Sequence, residues 1–266
     1  MQEKKNGNSL LRNLEREGGK IHYMYRPEIK RKKSGTPVLS RKQIDEIAEN
    51  LILDFCPEAL ETPQEIDVDL FVQNYLGMSQ DFQYLSHCGV YLGMTVFNDT
   101  DKVPVYDPKA NRAEYISAKA KTVIIDNRLL EPDQEHRYRF TMGHEGGHGF
   151  FHTEYFGYDP SQLTLMDYIG SEKSAIVQCR VDTKKLSEKV EPKVWGDKEW
   201  MEWQANAFSS SLLMPKSAVV KVCENAKKRN VPQFLLSALM ASDVSRIFNV
   251  SMEAAEYRLK GLGDVI

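Results

Sequence analysis

The spacing of hydrophobic residues changes along the chain, and each change predicts a different element. After Ser40, apolar residues recur every three or four positions as far as Phe55, and Gln43 can form a capping box with Ser40. This pattern predicts a helix. A second, shorter helix is predicted over residues 67–76, where a glycine follows as a C-terminal stop.

Alternating and β-branched residues then predict strands at 89–97, 102–107 and 121–126, separated by polar or glycine-containing turns. We expect these segments to form a small, largely antiparallel sheet. After residue 131 the spacing returns to the helical period, and an acidic, proline-containing start predicts a helix over about 132–153. The chain as a whole is therefore predicted to be α+β.

The remaining sequence is irregular at first and then helical. Between 155 and 196 the only strand candidate is 175–181, and a long helix is predicted over 197–214, where Pro215 ends it. The last fifty residues resemble a helix–turn–helix in which Ser251 caps the second helix.

Three regions follow from these patterns. Residues 1–36 are polar and end in a basic run, so we expect a flexible arm whose charges are solvated rather than bound to nucleic acid. Residues 37–216 form the main domain, and 217–266 form a helix–turn–helix-like C-terminal module. Acidic residues balance the few basic ones near the C-terminus, which favours packing or substrate docking there over DNA binding.

The composition narrows the class of protein. The chain has 266 residues, 41% hydrophobic and 27% charged, which is ordinary for a soluble globular protein. A net charge of -3 argues against a protein that coats nucleic acid. The sequence has no apolar run of about 20 residues, no signal peptide and no C-x-x-C pair among its four cysteines, so we expect a cytoplasmic protein without a disulfide framework.

The segment "TMGHEGGHGFFH", residues 141–152, carries the clearest chemistry. His144 and His148 lie four residues apart on one face of the predicted helix, so their rings can reach one metal ion, with Glu145 beside them. In this H-E-x-x-H arrangement the histidines bind zinc, which activates water, and the glutamate takes the proton from that water. The alternative is a pair of solvated histidines.

Two further features of this segment bear on the site. Gly146 and Gly147 each cost a helix about 1 kcal/mol relative to alanine, which favours a helix that another group approaches closely. His152 begins roughly 12 Å along the axis from His144, too far to complete a compact site. We expect His152 to support the site, pack beneath it or meet substrate.

A catalytic zinc ion needs a third protein ligand, and the helix over 197–214 offers candidates. Glu199, Glu202 and Asn206 share one face of that helix. Glu199 is adequately explained as a first-turn acid that favours the helix dipole, so Glu202 is the preferred ligand.

The segments "TVIIDNRLL", "RYRFTMGHEGGHGFFH" and "EWQANAFSSSLLMP" together resemble the ImmA/IrrE family of zinc metallopeptidases. The resemblance covers roughly residues 40–216 and continues more weakly to the end. It implies a zincin-like fold and one Zn²⁺ per chain, with His144, His148 and Glu202 as ligands and Glu145 as the catalytic carboxylate. Two departures are Gly146, where the family more often has a bulky apolar residue, and the long connection 155–196.

The resemblance also implies a function. Such proteins often cleave a helix–turn–helix transcriptional repressor and so relieve repression in a mobile element or a stress response. The alternatives are a non-catalytic DNA- or partner-binding regulator with a vestigial or structural metal site, and a hydrolase of small peptides.

An extended substrate would pair with an edge strand. We predict that this edge is the "KTVIID" strand, through Thr122, Val123, Ile124 and Ile125. Several residues are candidates to stabilise the oxyanion or to support the ligands: His152, Tyr155, Tyr158, Arg180 and Asn206.

Overall fold

The structure is a computed structural model that describes residues 24–157, the backbone of 176–179, and residues 195–263. Its helices are α1 (Arg41–Phe55), α2 (Glu58–Glu61), α3 (Val68–Leu70), α4 (Glu135–Phe151), α5 (Thr153–Phe156), α6 (Asp197–Leu213), α7 (Lys216–Lys227), α8 (Gln233–Phe248) and α9 (Met252–Gly261). Its strands are β1 (Ser79–Gln83), β2 (Gly93–Val96), β3 (Thr100–Asp107), β4 (Arg112–Ala118), β5 (Thr122–Asp126) and β6 (Ile176–Cys179). The α+β class is confirmed.

The predicted helices are present with their predicted caps. Ser40 accepts a hydrogen bond from the Gln43 backbone at 3.3 Å, and the Gln43 side chain accepts from the Ser40 backbone at 2.9 Å. Ser251 likewise accepts from the Ala254 backbone and caps α9. The helix predicted over 67–76 is α3 followed by a single π-helical turn, Phe71–Tyr75.

The main sheet has the strand order β1-β5-β2-β6, and β3 and β4 form a separate two-stranded sheet. Strand β2 pairs antiparallel with β5, as expected, and also with β6, whereas β1 pairs parallel with β5. The expectation that 102–107 joins this sheet is wrong, because that segment lies in β3 and pairs with β4 instead. Strand β1 was not predicted, because its residues, "SQDFQ", are mostly polar and only partly buried and so lack an alternating apolar pattern.

The prediction that the "KTVIID" strand lies at an edge of the sheet is wrong. Thr122, Val123, Ile124 and Ile125 lie in β5, which is internal because β1 and β2 flank it on both sides. Every residue of β5 is buried, as expected for a continuous β-branched run covered on both faces. An extended substrate cannot add to a strand whose two edges are already paired.

One hydrophobic core extends from α1 to the C-terminal helices. Leu51, Phe208, Val219, Val244 and Ala255 all belong to the same buried cluster, so residue 216 does not separate two cores. The predicted arm is described from residue 24. Its Arg31 donates to the Phe151 carbonyl at 2.8 Å and pairs with Glu154 at 2.8 Å, so this part of the arm packs against the end of α4.

Candidate metal centre

The site lies where α4 packs against α6. A Cβ at Gly147 would lie 2.9 Å from the Phe208 ring and 3.4 Å from the Ala205 Cα. Gly146 faces the other way, where an added Cβ would lie 3.0 Å from Val72. The glycine pair therefore lets neighbouring elements approach α4 closely, which brings the histidines of α4 towards the carboxylates of α6.

His144, His148 and Glu202 converge at this contact. One ligand atom from each residue lies within 4.8 Å of the other two. The Nε2 atoms of His144 and His148 are 3.1 Å apart, and each lies 3.5 Å from an oxygen of Glu202. Both histidines are fully buried, while the Glu202 side chain is 35% exposed. The cluster could hold a metal ion, and two imidazoles with one carboxylate suit zinc and similar divalent metals.

The hydrogen bonds around the rings fix where their protons lie. Gln204 donates to the Pro37 carbonyl at 2.9 Å, so its amide oxygen faces His152 Nε2 at 3.0 Å and accepts from it. Neutral His152 then has an Nδ1 that can only accept, and this atom lies 2.9 Å from His148 Nδ1. His148 must therefore donate through Nδ1, which leaves the lone pair of its Nε2 for a metal.

His144 has the same arrangement on its other side. The Asn206 amide oxygen lies 2.9 Å from His144 Nδ1 and accepts its proton. Both ligand rings thus direct Nε2 towards Glu202, and each is held through Nδ1. Such outer hydrogen bonds orient metal-binding histidines and raise their basicity.

The protonation tendencies of the three histidines differ. Burial lowers the pKa of His148 well below its usual value, and the neighbouring histidines lower it further. Burial, with help from His144 and Arg31, also lowers the pKa of His152 to about 3, although the hydrogen bond to Gln204 acts in the opposite direction. For His144, burial acts downward, but Glu202 and Glu145 outweigh it and raise the pKa. A proton on His144 therefore occupies the position that a metal cation would take between the ligands.

Glu145, next to His144 on α4, packs against β2. The Thr95 hydroxyl lies 2.6 Å from Glu145 Oε2 and 3.1 Å from the Glu145 carbonyl, and both residues are buried. A Cβ at Gly93 would lie 2.5 Å from Glu145 Oε1. A bare glycine in β2 thus leaves the space that the carboxylate occupies.

The other predicted residues divide into three groups. Asn206 and His152 contact the ligands, as described above. Tyr155 packs on Phe156, at a ring separation of 4.7 Å. Arg180 and Tyr158 lie outside the described residues.

Three contributors were missed from the sequence: Gly93, Thr95 and Gln204. A glycine inside the strand segment "GMTV" was a usable signal, because strand glycines often mark a close backbone approach. Gln204 had no comparable signal, since its role depends on Pro37, which lies 167 residues away in sequence.

Comparison with models of protein families and with curated proteins found no match. Among the described residues, no helix is both long and apolar enough to cross a membrane.

Proposed function

We propose that this chain is a zinc-dependent metalloendopeptidase of the ImmA/IrrE type. The observation that carries the proposal is the convergence of His144, His148 and Glu202 next to the buried carboxylate of Glu145. A site built only to hold a structural ion does not need that carboxylate. The two motifs noted in the sequence, on α4 and α6, supply all four residues.

Each residue has a distinct part in the proposed hydrolysis. Zinc, when bound, lowers the pKa of water to about 7 and polarises the scissile carbonyl. Glu145 takes the proton from the attacking water and delivers it to the leaving amine. Thr95 keeps one oxygen of Glu145 hydrogen-bonded at 2.6 Å, which fixes the direction of the carboxylate. Asn206 and His152 hold the ligand rings.

The proposed substrate is a protein, specifically a helix–turn–helix transcriptional repressor, and this rests on the family resemblance. The charges favour hydrolysis over the DNA-binding alternative. Arg258, one of the few basic residues of the C-terminal segment, is 1% exposed and pairs with Asp45 at 2.7 Å. It is therefore not available to contact phosphate.

The test separates metal binding from catalysis. The purified full chain is expected to hold about one zinc ion and to cleave a candidate repressor, with fragments identified by mass spectrometry. Glu145→Gln should keep the zinc but slow cleavage by about 10²–10⁴-fold, the usual contribution of a general acid–base. Glu131→Gln, an exposed glutamate outside the site, is the matched control.

Two results would contradict the proposal. Zinc content unchanged by His148→Ala would remove the metal site. Full cleavage by Glu145→Gln would remove the proposed catalytic role.

A further inference from the structure

A cavity of about 430 Å³ adjoins the metal centre and extends towards the C-terminal helices. Asn206, which binds His144, lines the cavity, and so does Leu92, which precedes Gly93. Its walls also include Phe140, Leu213 and Val250, so much of its surface is apolar. A substrate held at the metal centre would be within reach of this space.

Two polar side chains of the cavity have hydrogen-bond donors that can serve a ligand. The Thr141 side chain is fully buried in the cavity wall, and its hydroxyl has no hydrogen-bond partner among the described residues. The Asn206 oxygen is used by His144, which leaves amide hydrogens as the remaining function of that side chain. A ligand that brings acceptors would pair with these donors.

Arg41 gives the cavity a positive charge. Its guanidinium lies 3.4 Å from Ser210 Oγ and 4.0 Å from Asp45 Oδ1. That carboxylate oxygen already accepts from Arg258 at 2.7 Å and from Ser211 at 2.6 Å. Two guanidinium groups therefore share one carboxylate, and Arg41 is the more weakly paired of the two.

The surroundings of Arg41 are consistent with this imbalance. Burial, and after it the charge of Arg258, lower its pKa to about 10, and Asp45 and Tyr257 only partly oppose the change. The other charged groups in the lining are Arg137 and Glu253, both exposed, and His136 is exposed beside them. A ligand carboxylate would supply a closer counter-ion than Asp45, which lies 4.0 Å from Arg41.

We infer that this cavity binds a carboxylate-bearing, partly apolar group, with Arg41 as its counter-ion and Thr141 and Asn206 as donors. Under the proposed function, that group belongs to the substrate. Ser210 follows Glu202 by eight residues on α6, roughly 12 Å along the axis, so the carboxylate would lie about three to four extended residues from the cut. It is either the side chain of Asp or Glu in a longer chain or the C-terminal carboxylate of a short peptide.

The first experiment measures binding without metal, so that neither catalysis nor metal coordination contributes. The probes are 4-phenylbutyrate and its neutral analogue 4-phenylbutanamide, titrated calorimetrically into the full chain. The acid should bind about tenfold more tightly than the amide, since a hydrogen bond to a charged group is worth about that factor. Arg41→Gln should remove most of this difference, and Arg41→Lys should keep part of it.

Lys42→Gln is the matched control. It also removes one positive charge, at the next residue of α1, but the Lys42 side chain is 82% exposed. It should keep the full preference for the acid. Equal binding of acid and amide to the unmodified chain, or a preference that survives Arg41→Gln, would overturn the inference.

The second experiment identifies the source of the carboxylate. The zinc-loaded chain is given peptides that differ only in Asp or Glu against Asn or Gln, each with a free or an amidated C-terminus. A side-chain preference in kcat/KM supports an internal acidic residue, and a preference for the free C-terminus supports a terminal one. In either case Arg41→Gln should lower the acid-to-amide ratio, and an unchanged ratio would contradict the assignment.

The two proposals can fail separately. If 4-phenylbutyrate binds through Arg41 but no peptide or repressor is cleaved, the proposed function fails while the carboxylate site stands. If peptides are cleaved with no dependence on acidic groups or on Arg41, the function stands and the carboxylate site fails.

Discussion

At the scale of single residues, His144, His148 and His152 differ because their partners differ. His144 is held by Asn206, and His148 is held by His152, which in turn donates to Gln204. Its distance along the helix predicted that His152 is not a ligand, and in the structure His152 is the acceptor for His148 Nδ1. Its fully buried ring does not belong to the cluster of ligand atoms, but it orients a ring that does.

This role predicts a loss of metal affinity when His152 is changed. His152→Leu removes the acceptor for His148 Nδ1 and should weaken zinc binding by about 10–100-fold, the usual effect of losing such a partner. Competition with a chromogenic chelator measures it. His87→Leu is the control, because His87 is exposed and packs against Tyr106 instead. Zinc affinity within threefold of the unmodified chain would contradict the role.

At the scale of elements, the site depends on how closely α4 and α6 approach. Glycines on α4 face large or polar groups of α6: Gly147 meets Phe208, and Gly143 lies where an added Cβ would be 2.8 Å from Ser209 Oγ. The candidate ligands come from both helices, so the spacing between the helices sets the geometry of the candidate metal centre. The conformational cost of glycine in a helix is offset by this packing.

Gly147→Ala is therefore expected to destabilise the protein although alanine favours helix by about 1 kcal/mol. The added methyl group must displace the Phe208 ring, and such overpacking typically costs about 1–3 kcal/mol. Urea unfolding measures the change. At Gly261, an added Cβ would meet nothing within 4 Å, so Gly261→Ala should be neutral or slightly stabilising. Equal stability of the two variants would refute the packing argument.

At the scale of the whole molecule, the C-terminal helices belong to the same core as the site. Asp45 on α1 pairs with Arg258 on α9 at 2.7 Å, and Arg258 also donates to the Met214 carbonyl at 3.0 Å. These contacts connect α1 and α9 through the C-terminus of α6. The helix–turn–helix-like segment is thus packed into the same core as the candidate metal centre.

Breaking this pair should destabilise the molecule as one unit. Asp45→Asn leaves the buried Arg258 without its counter-ion and should cost about 3–5 kcal/mol. The exposed Glu46 pairs with Lys42 at 3.8 Å, so Glu46→Gln should cost under about 1 kcal/mol. Thermal unfolding measures both changes in the metal-free protein.

The same experiment tests whether the core is continuous. The three tryptophans, Trp195, Trp200 and Trp203, lie in or next to α6 and report on that region, while far-ultraviolet circular dichroism reports on all helices. The two transitions should coincide in the unmodified chain and in both variants. A separate, earlier loss of helix signal in Asp45→Asn would show that the C-terminal helices unfold independently.

The sequence alone determined the features that depend on local spacing. Caps and turn residues set the limits of α1 and α6, and the four-residue spacing placed His144 and His148 on one face, because helical periodicity acts over a few residues. The tertiary structure decided what depends on distant pairing. The parallel pairing of β1 makes β5 internal, and Arg41 meets Ser210 across 169 residues to charge the cavity. Such contacts leave no periodic pattern in the sequence, because their partners become neighbours only when the chain folds.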